Sequence, residues 1–268
     1  GGLRYSDFNE KRKRQSVTMK CLESLIVAFS MYSKIPMPQI TWTKENMKNT
    51  LCYFPLIGAV IGALLWLWYW LCGIAGFGVM LQAAVAVLIP VLVTGGIHLD
   101  GFLDTSDALS SWQTTERRLE ILKDPHTGAF AIIACCSYFL AAFGIWTEAK
   151  SLDIGILGIG FILSRTLSGF GVCKFPCAKK SGLAATFAEA ADRKRCTIVL
   201  IIEMILCMAA MIWLDPLRGA FACAAAVLVC LGCRHLSMQK FGGITGDTQG
   251  FFLQVCELVM AFVVILIP

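Results

Sequence analysis

Charge is what this chain has least of. Only 15% of its 268 residues are Asp, Glu, Lys or Arg, where a soluble domain carries about 25%. Hydrophobic residues make up 57%, and the mean hydropathy is +0.71. The apolar residues fall in long runs without amphipathic alternation, which excludes an ordinary soluble domain and indicates an all-α, polytopic membrane bundle. A broad basic surface is also missing. The net charge of +5 comes from Lys and Arg collected between apolar runs, as in loops held on the cytoplasmic side, so nucleic acid is excluded as a partner. The 13 cysteines are scattered, many within apolar runs, without a pair of CxxC motifs; neither a zinc site nor a disulfide framework is expected.

Seven spans are expected, at Thr50–Cys72, Phe77–Ile97, Gly128–Thr147, Ile154–Cys173, Thr197–Leu214, Leu217–Gly232 and Phe251–Ile267. Residues 1–18 read as a basic disordered tail or an added leader before Met19, and 19–268 as one membrane-embedded domain. The segment Lys20–Ile35 is apolar but short, carries Glu23 and Lys34, and ends at Pro36. It is expected to be re-entrant or interfacial. With Ser30–Asn49 in the cytoplasm, the Asp-rich loop after His98, the loop Lys174–Arg195 (with Lys179 and Lys180) and the loop holding Arg234, His235 and Lys240 all fall inside. The turns near Gly73, Ser151 and Asp215 fall outside with few positive charges, so the positive-inside rule is met at every loop. The expected location is the inner membrane, multi-pass, with a site facing the cytoplasm.

What charge there is concentrates in Thr94–Phe130, between two apolar runs. In a helix, Asp100, Asp104 and Asp107 lie at i, i+4 and i+7, on one face. Unpaired like charges at that spacing repel, and a hard divalent cation such as Mg²⁺ suits carboxylate oxygens. The plain alternative is a solvated acidic helix end that binds nothing. Gly95, Gly96 and Gly101 permit close backbone approach beside the acids. His98 is open between a general base, a phosphate hydrogen bond and a structural histidine; as a ligand it would be unusual for Mg²⁺.

Other groups stand near enough in sequence to serve a phosphate. Arg117, Arg118, Lys123 and Asp124 follow the acidic stretch, and arginine offers bidentate phosphate recognition. The stretch Gly242–Gly250, with Thr245, Gly246 and Asp247, is rich enough in glycine and hydroxyls to wrap a phosphate, with Asp247 as a further metal ligand. Gly-rich strings also serve as plain turns. Arg165 and Glu257 are charges inside expected spans, where charge is costly and usually functional. Lys34, before Pro36, is a further candidate for a substrate phosphate.

Taken together, these segments resemble the cobalamin synthases, or adenosylcobinamide-GDP ribazoletransferases, over nearly the whole chain from Met19. FSMYSKIPMP, YFPLIGAVIG, GGIHLDGFLDTSDAL, ERRLEILKDPHTGAFA, SGLAATFA and GGITGDTQGFFLQVCE are similar to that family's motifs, and the Gly95–Asp107 signature is the specific one. Ser33 and Lys34 depart from the usual Thr and Arg, keeping the charge but losing the bidentate fork. The resemblance implies attack by the 3′-hydroxyl of α-ribazole, or α-ribazole 5′-phosphate, on adenosylcobinamide-GDP. The products are adenosylcobalamin, or its 5′-phosphate, and GMP. Mg²⁺ is implied as cofactor, on Asp100, Asp104, Asp107 and Asp247. His98 or one of the aspartates, Asp104 foremost, would take the hydroxyl proton. Membrane lipid is a partner, and a homo-oligomer stays open. Two other classes remain in view: a CDP-alcohol phosphotransferase-like lipid enzyme, which would release CMP, and a divalent-cation or corrinoid transporter, which would carry flux without GMP.

Overall fold

The computed structural model describes residues 19–178 and 182–267. The expected tail at 1–18, and Lys179 and Lys180, lie outside the described residues. Every regular element among those described is helical, which agrees with the all-α reading. Helix α1 covers residues 19–32. At 1.5 Å per residue its 14 described residues reach about 21 Å, short of the roughly 30 Å of a hydrocarbon core. There follow α2 (Lys44–Met47), α3 (Thr50–Ala75), α4 (Val79–Thr94), α5 (Ile97–Ser110), α6 (Thr115–Ile121) and α7 (Ala129–Glu148). The rest are α8 (Asp153–Lys174), α9 (Leu183–Ala190), α10 (Arg193–Leu214), α11 (Pro216–Phe241) and α12 (Gly246–Leu266).

Helix α8 is the hub: 83% of its most apolar stretch is buried inside the protein, against 17% for α7 and 22% for α10. The outer helices keep large apolar side chains such as Ile133, Leu140, Ile205 and Leu228 exposed, as helices facing lipid do. The α3–α8 contact is close because it is made by glycine. A β-carbon on Gly58 would strike the Phe161 carbonyl, and one on Gly62 would come within 2.8 Å of the Gly158 carbonyl.

Among the described residues, six helices are long and apolar enough to cross a membrane: α3, α7, α8, α10, α11 and α12. The expected span Phe77–Ile97 is cut short. Helix α4 stops at Thr94, Gly95 and Gly96 take left-handed conformations (φ 64° and 80°), and α5 leaves at 95° to α4. Two consecutive left-handed residues cannot continue a right-handed helix, whereas Pro90 sits inside α4 without ending it. A seventh crossing therefore exists only if the bent α4–α5 pair counts as one; α5 itself lies outside the straight spans. The largest other differences are in α11 and α12, while α10 starts at Arg193, ahead of the expected Thr197, and α3 runs on to Ala75. Helix α11 runs on to Phe241, past the expected end at Gly232, until Gly242 caps it at φ 73°. Helix α12 starts at Gly246, five residues ahead of the expected Phe251, because Thr245 and Thr248 form a capping box.

Candidate active site

Helix α5 carries the acidic face. Its buried side is His98, Gly101, Thr105 and Ala108, which leaves Asp100 exposed and Asp104 and Asp107 half-buried on the remaining surface. The burial is set by contact with the start of α12. A β-carbon on Gly101 would lie 2.9 Å from the Asp247 Cα, and one on Gly250 2.7 Å from the His98 carbonyl oxygen. Phe102 stacks on Phe251 at 5.5 Å between ring centroids. This glycine-mediated crossing brings Asp247 to the aspartates of α5 across most of the chain. On the opposite flank the Asp107 carboxylate rests on Gly128, at the start of α7.

The four carboxylates share one field. Burial, and then Asp100, Asp247 and Asp107 in turn, push the Asp104 carboxyl up to about 6. Among the described residues, no three His, Cys, Asp or Glu side chains converge tightly enough to enclose a metal by themselves. Mg²⁺ does not require such a cage: it keeps several waters and takes one or two carboxylates, completed by substrate phosphates. The donor set, all hard oxygens in a region of excess negative charge, fits that ion.

Two cavities meet at this point. The first, of about 300 Å³, is walled by Tyr32, Phe54, His98 and Leu253, with Asp100 and Asp247 among its lining residues. The second, of about 190 Å³, is lined by Leu119, Lys123, Cys177, Thr245, Gly246 and Asp247. Gly246, Asp247 and Ala184 of α9 border both. The expected Gly-rich loop is thus half helix. Only 242–244 form a turn, braced where Ile244 N donates to the Pro176 carbonyl (2.9 Å) and Ala178 N to that of Ile244 (2.9 Å). Thr245 accepts from Thr248 N at 3.1 Å, so the first turn of α12, with its positive dipole end, opens on the junction.

His98 is 5% exposed, and its Nε2 has no hydrogen-bond partner. Burial, and behind it the Arg165 charge, hold its pKa well below the ordinary value, so the imidazole is neutral. Arg165 and Glu257 pair with each other at 2.6 Å, wholly buried, with Ser164 donating to Glu257 at 2.8 Å. They lie behind the first cavity and not on its lining. Lys34 is exposed and drapes its methylenes over Gly95. Arg117 is spent on an exposed pair with Glu120 at 2.6 Å, and Asp124 accepts from the His126 backbone at 2.9 Å. Arg118 is half-buried with its Nε unpartnered. The structure therefore gathers Asp100, Asp104, Asp107, Asp247, His98, Lys123, Thr245 and Gly246, and leaves Arg117 and Asp124 on exposed surface.

Sequence reading missed Tyr32, Phe54, Ser168 and Gln249 as cavity walls. Aromatic and small polar residues inside apolar helices look like core; the available signal was the family resemblance, whose segments FSMYSKIPMP, YFPLIGAVIG and GGITGDTQGFFLQVCE contain Tyr32, Phe54 and Gln249, while Ser168 stands in none of them.

Comparison with known proteins adds the following. The family model described as cobalamin-5-phosphate synthase matches residues 24–265. The chain is 44% identical over 248 residues to the adenosylcobinamide-GDP ribazoletransferase of Lachnoclostridium phytofermentans, covering 92% of this chain and 95% of that one. It is 31% identical over 245 residues to the protein of the same name from Clostridium botulinum, covering 90% and 96%. The corresponding figures for that of Desulfitobacterium hafniense are 31% over 245 residues, 90% and 95%. No solved structure matches the chain.

Proposed function

The chain belongs to the cobalamin-5-phosphate synthase family, and from that premise we propose that its chemistry takes place where α5 crosses the start of α12. The enzyme is a transferase of cobalamin biosynthesis that acts on cobinamide-GDP and ribazole. The 3′-hydroxyl of α-ribazole, or of its 5′-phosphate, attacks the phosphorus nearest the cobinamide. The new P–O bond forms as the bond to GMP breaks, and the hydroxyl proton leaves.

The observation that carries the placement is the junction of the two cavities at Gly246 and Asp247, with Asp100 on the same lining. A two-substrate displacement needs two pockets opening on one reacting atom. Asp100, Asp104, Asp107 and Asp247 would hold Mg²⁺. That ion, when bound, neutralises the diphosphate and the departing GMP. The chain's own groups do the remainder. Asp104, half-buried among Asp100, Asp107 and Asp247, is the carboxylate suited to take the ribazole proton. Lys123 and the dipole end of α12 line the second cavity and favour phosphate there. Arg118 stands on α6 near that cavity's Leu119, and Lys34 and Arg117 are long enough to swing toward an incoming diphosphate. The Arg165–Glu257 pair backs His98 and holds α8 to α12.

The end of the bundle that holds this site also carries Lys48, Lys123, Lys174, Arg193, Lys194 and Lys240, which supports a cytoplasmic orientation in the inner membrane. The test is GMP release by purified protein in detergent, supplied with adenosylcobinamide-GDP, α-ribazole 5′-phosphate and Mg²⁺. GMP should require all three and fall by about 10³-fold or more in Asp104→Asn, the scale of removing a positioned acid–base group together with a metal ligand. Undiminished GMP from that variant would move the chemistry away from α5.

A further inference from the structure

Of the two cavities, the first has a composition that chooses among the substrates. Its volume of about 300 Å³ sits at the floor of the small-molecule range of roughly 300–1,000 Å³. A corrin ring with its side chains cannot enter. The candidates are the two flat bases in the reaction, guanine on the donor and the ribazole base on the acceptor.

The walls separate them. Tyr32 lies nearly parallel to His98, with centroids 6.3 Å apart and 27° between planes, and Phe54 meets His98 edge-on at 5.7 Å. Tyr32, Phe54 and the buried Leu253 supply much of the apolar wall. Ser168 and Gln249, also on the wall, bond to each other at 2.9 Å. The acids on the lining, Asp100 and Asp247, belong to α5 and α12, which cross at Gly101 and Gly250. His98 is on this lining, and its Nε2 is buried without a partner among the described residues. Guanine has several donors and acceptors on its edge. Left unpaired against an apolar wall, each would cost about 1–3 kcal/mol. An N-glycosylated benzimidazole has apolar edges and a single free ring nitrogen, which accepts one hydrogen bond. That demand matches one imidazole N–H.

We infer that the first cavity is the acceptor pocket: it takes a flat, apolar bicyclic base beside Tyr32 and Phe54, with His98 Nε2 donating to the free ring nitrogen and the ribose turned toward Asp100 and Asp247. The inference rests on the transferase reading above and deepens it. It makes His98 a residue that reads the base, distinct from the groups that handle the proton. The donor's diphosphate is thereby left to the second cavity, on the other side of Asp247.

The test uses the full-length protein in detergent and two independent variants. His98→Phe removes the donor while keeping a ring, and Met31→Trp fills the pocket from α1, whose Met31 is on the lining. Equilibrium dialysis with α-ribazole alone, and the KM for each substrate, are measured for both. Each variant should raise the ribazole Kd and KM by about tenfold and leave the KM for adenosylcobinamide-GDP within twofold. His98→Gln, which keeps an N–H donor, should recover most of the loss. A rise in donor KM with ribazole binding unchanged overturns the inference and leaves the transferase reading standing. Ribazole binding that is unaltered by both variants overturns it as well. If the wild type makes no GMP with both substrates and Mg²⁺, the transferase reading fails instead, and the dialysis still decides what the pocket holds.

Discussion

The carboxylate of Asp107 rests directly on the bare α-carbon of Gly128, and a β-carbon there would overlap all three carboxyl atoms. Gly128 caps α7 in an extended conformation (φ −76°, ψ 162°) open to any residue, so its smallness serves the neighbour and not its own backbone. Gly128→Ala should therefore leave the melting temperature nearly unchanged, because the half-buried Asp107 carboxylate can rotate away. It should lower kcat by about 10- to 100-fold, the scale of a 1 Å misplacement at a reacting centre. Thermal melts beside GMP release check both halves; a large drop in melting temperature would assign Gly128 a packing role.

The Asp104 carboxyl, at about 6, lies above the ordinary 3.8 of an aspartate because burial and three neighbouring acids oppose its charge. Folding thus favours the protonated form. Its stabilising effect is complete below about pH 3.8 and is lost as pH rises through about 6. In EDTA, stability should fall across that window. Asp104→Asn should flatten the fall, and Mg²⁺ should restore stability above about pH 6, since a cation binds the ionised form. Differential scanning fluorimetry across pH, with and without Mg²⁺, measures all three; a flat metal-free profile would mean that the acids act separately.

Arg165 and Glu257 face each other at 2.6 Å with 0% and 6% side-chain exposure. Removing one charge strands the other, so Glu257→Ala should destabilise by about 3–5 kcal/mol. Replacing both, as Arg165→Met with Glu257→Met, should regain most of that loss. Chemical denaturation of the three proteins in one detergent provides the comparison.

Orientation is open to a direct check. His126, exposed between α6 and α7, and Leu152, 86% exposed just before α8, lie at opposite ends of α7. In inside-out vesicles a bulky maleimide should label His126→Cys and spare Leu152→Cys, with the reverse in right-side-out vesicles. The opposite pattern would invert the topology.

Long apolar runs and the positions of Lys and Arg made the membrane helices legible from sequence alone, because lipid demands that every spanning backbone satisfy itself within one helix. The acidic face was legible for a similar reason: helical periodicity alone puts Asp100, Asp104 and Asp107 on one side. The break at Gly95–Gly96 was visible as two glycines, but not as a 95° turn, since a glycine pair permits a left-handed conformation without requiring it. Only the tertiary structure decided that Gly101 lets Asp247 close on α5, that Arg165 spends its charge on Glu257, and that Tyr32, Phe54 and His98 enclose a pocket. Those relationships join residues far apart in the chain. They depend on which helices pack together, and a local pattern of residues carries no record of that choice.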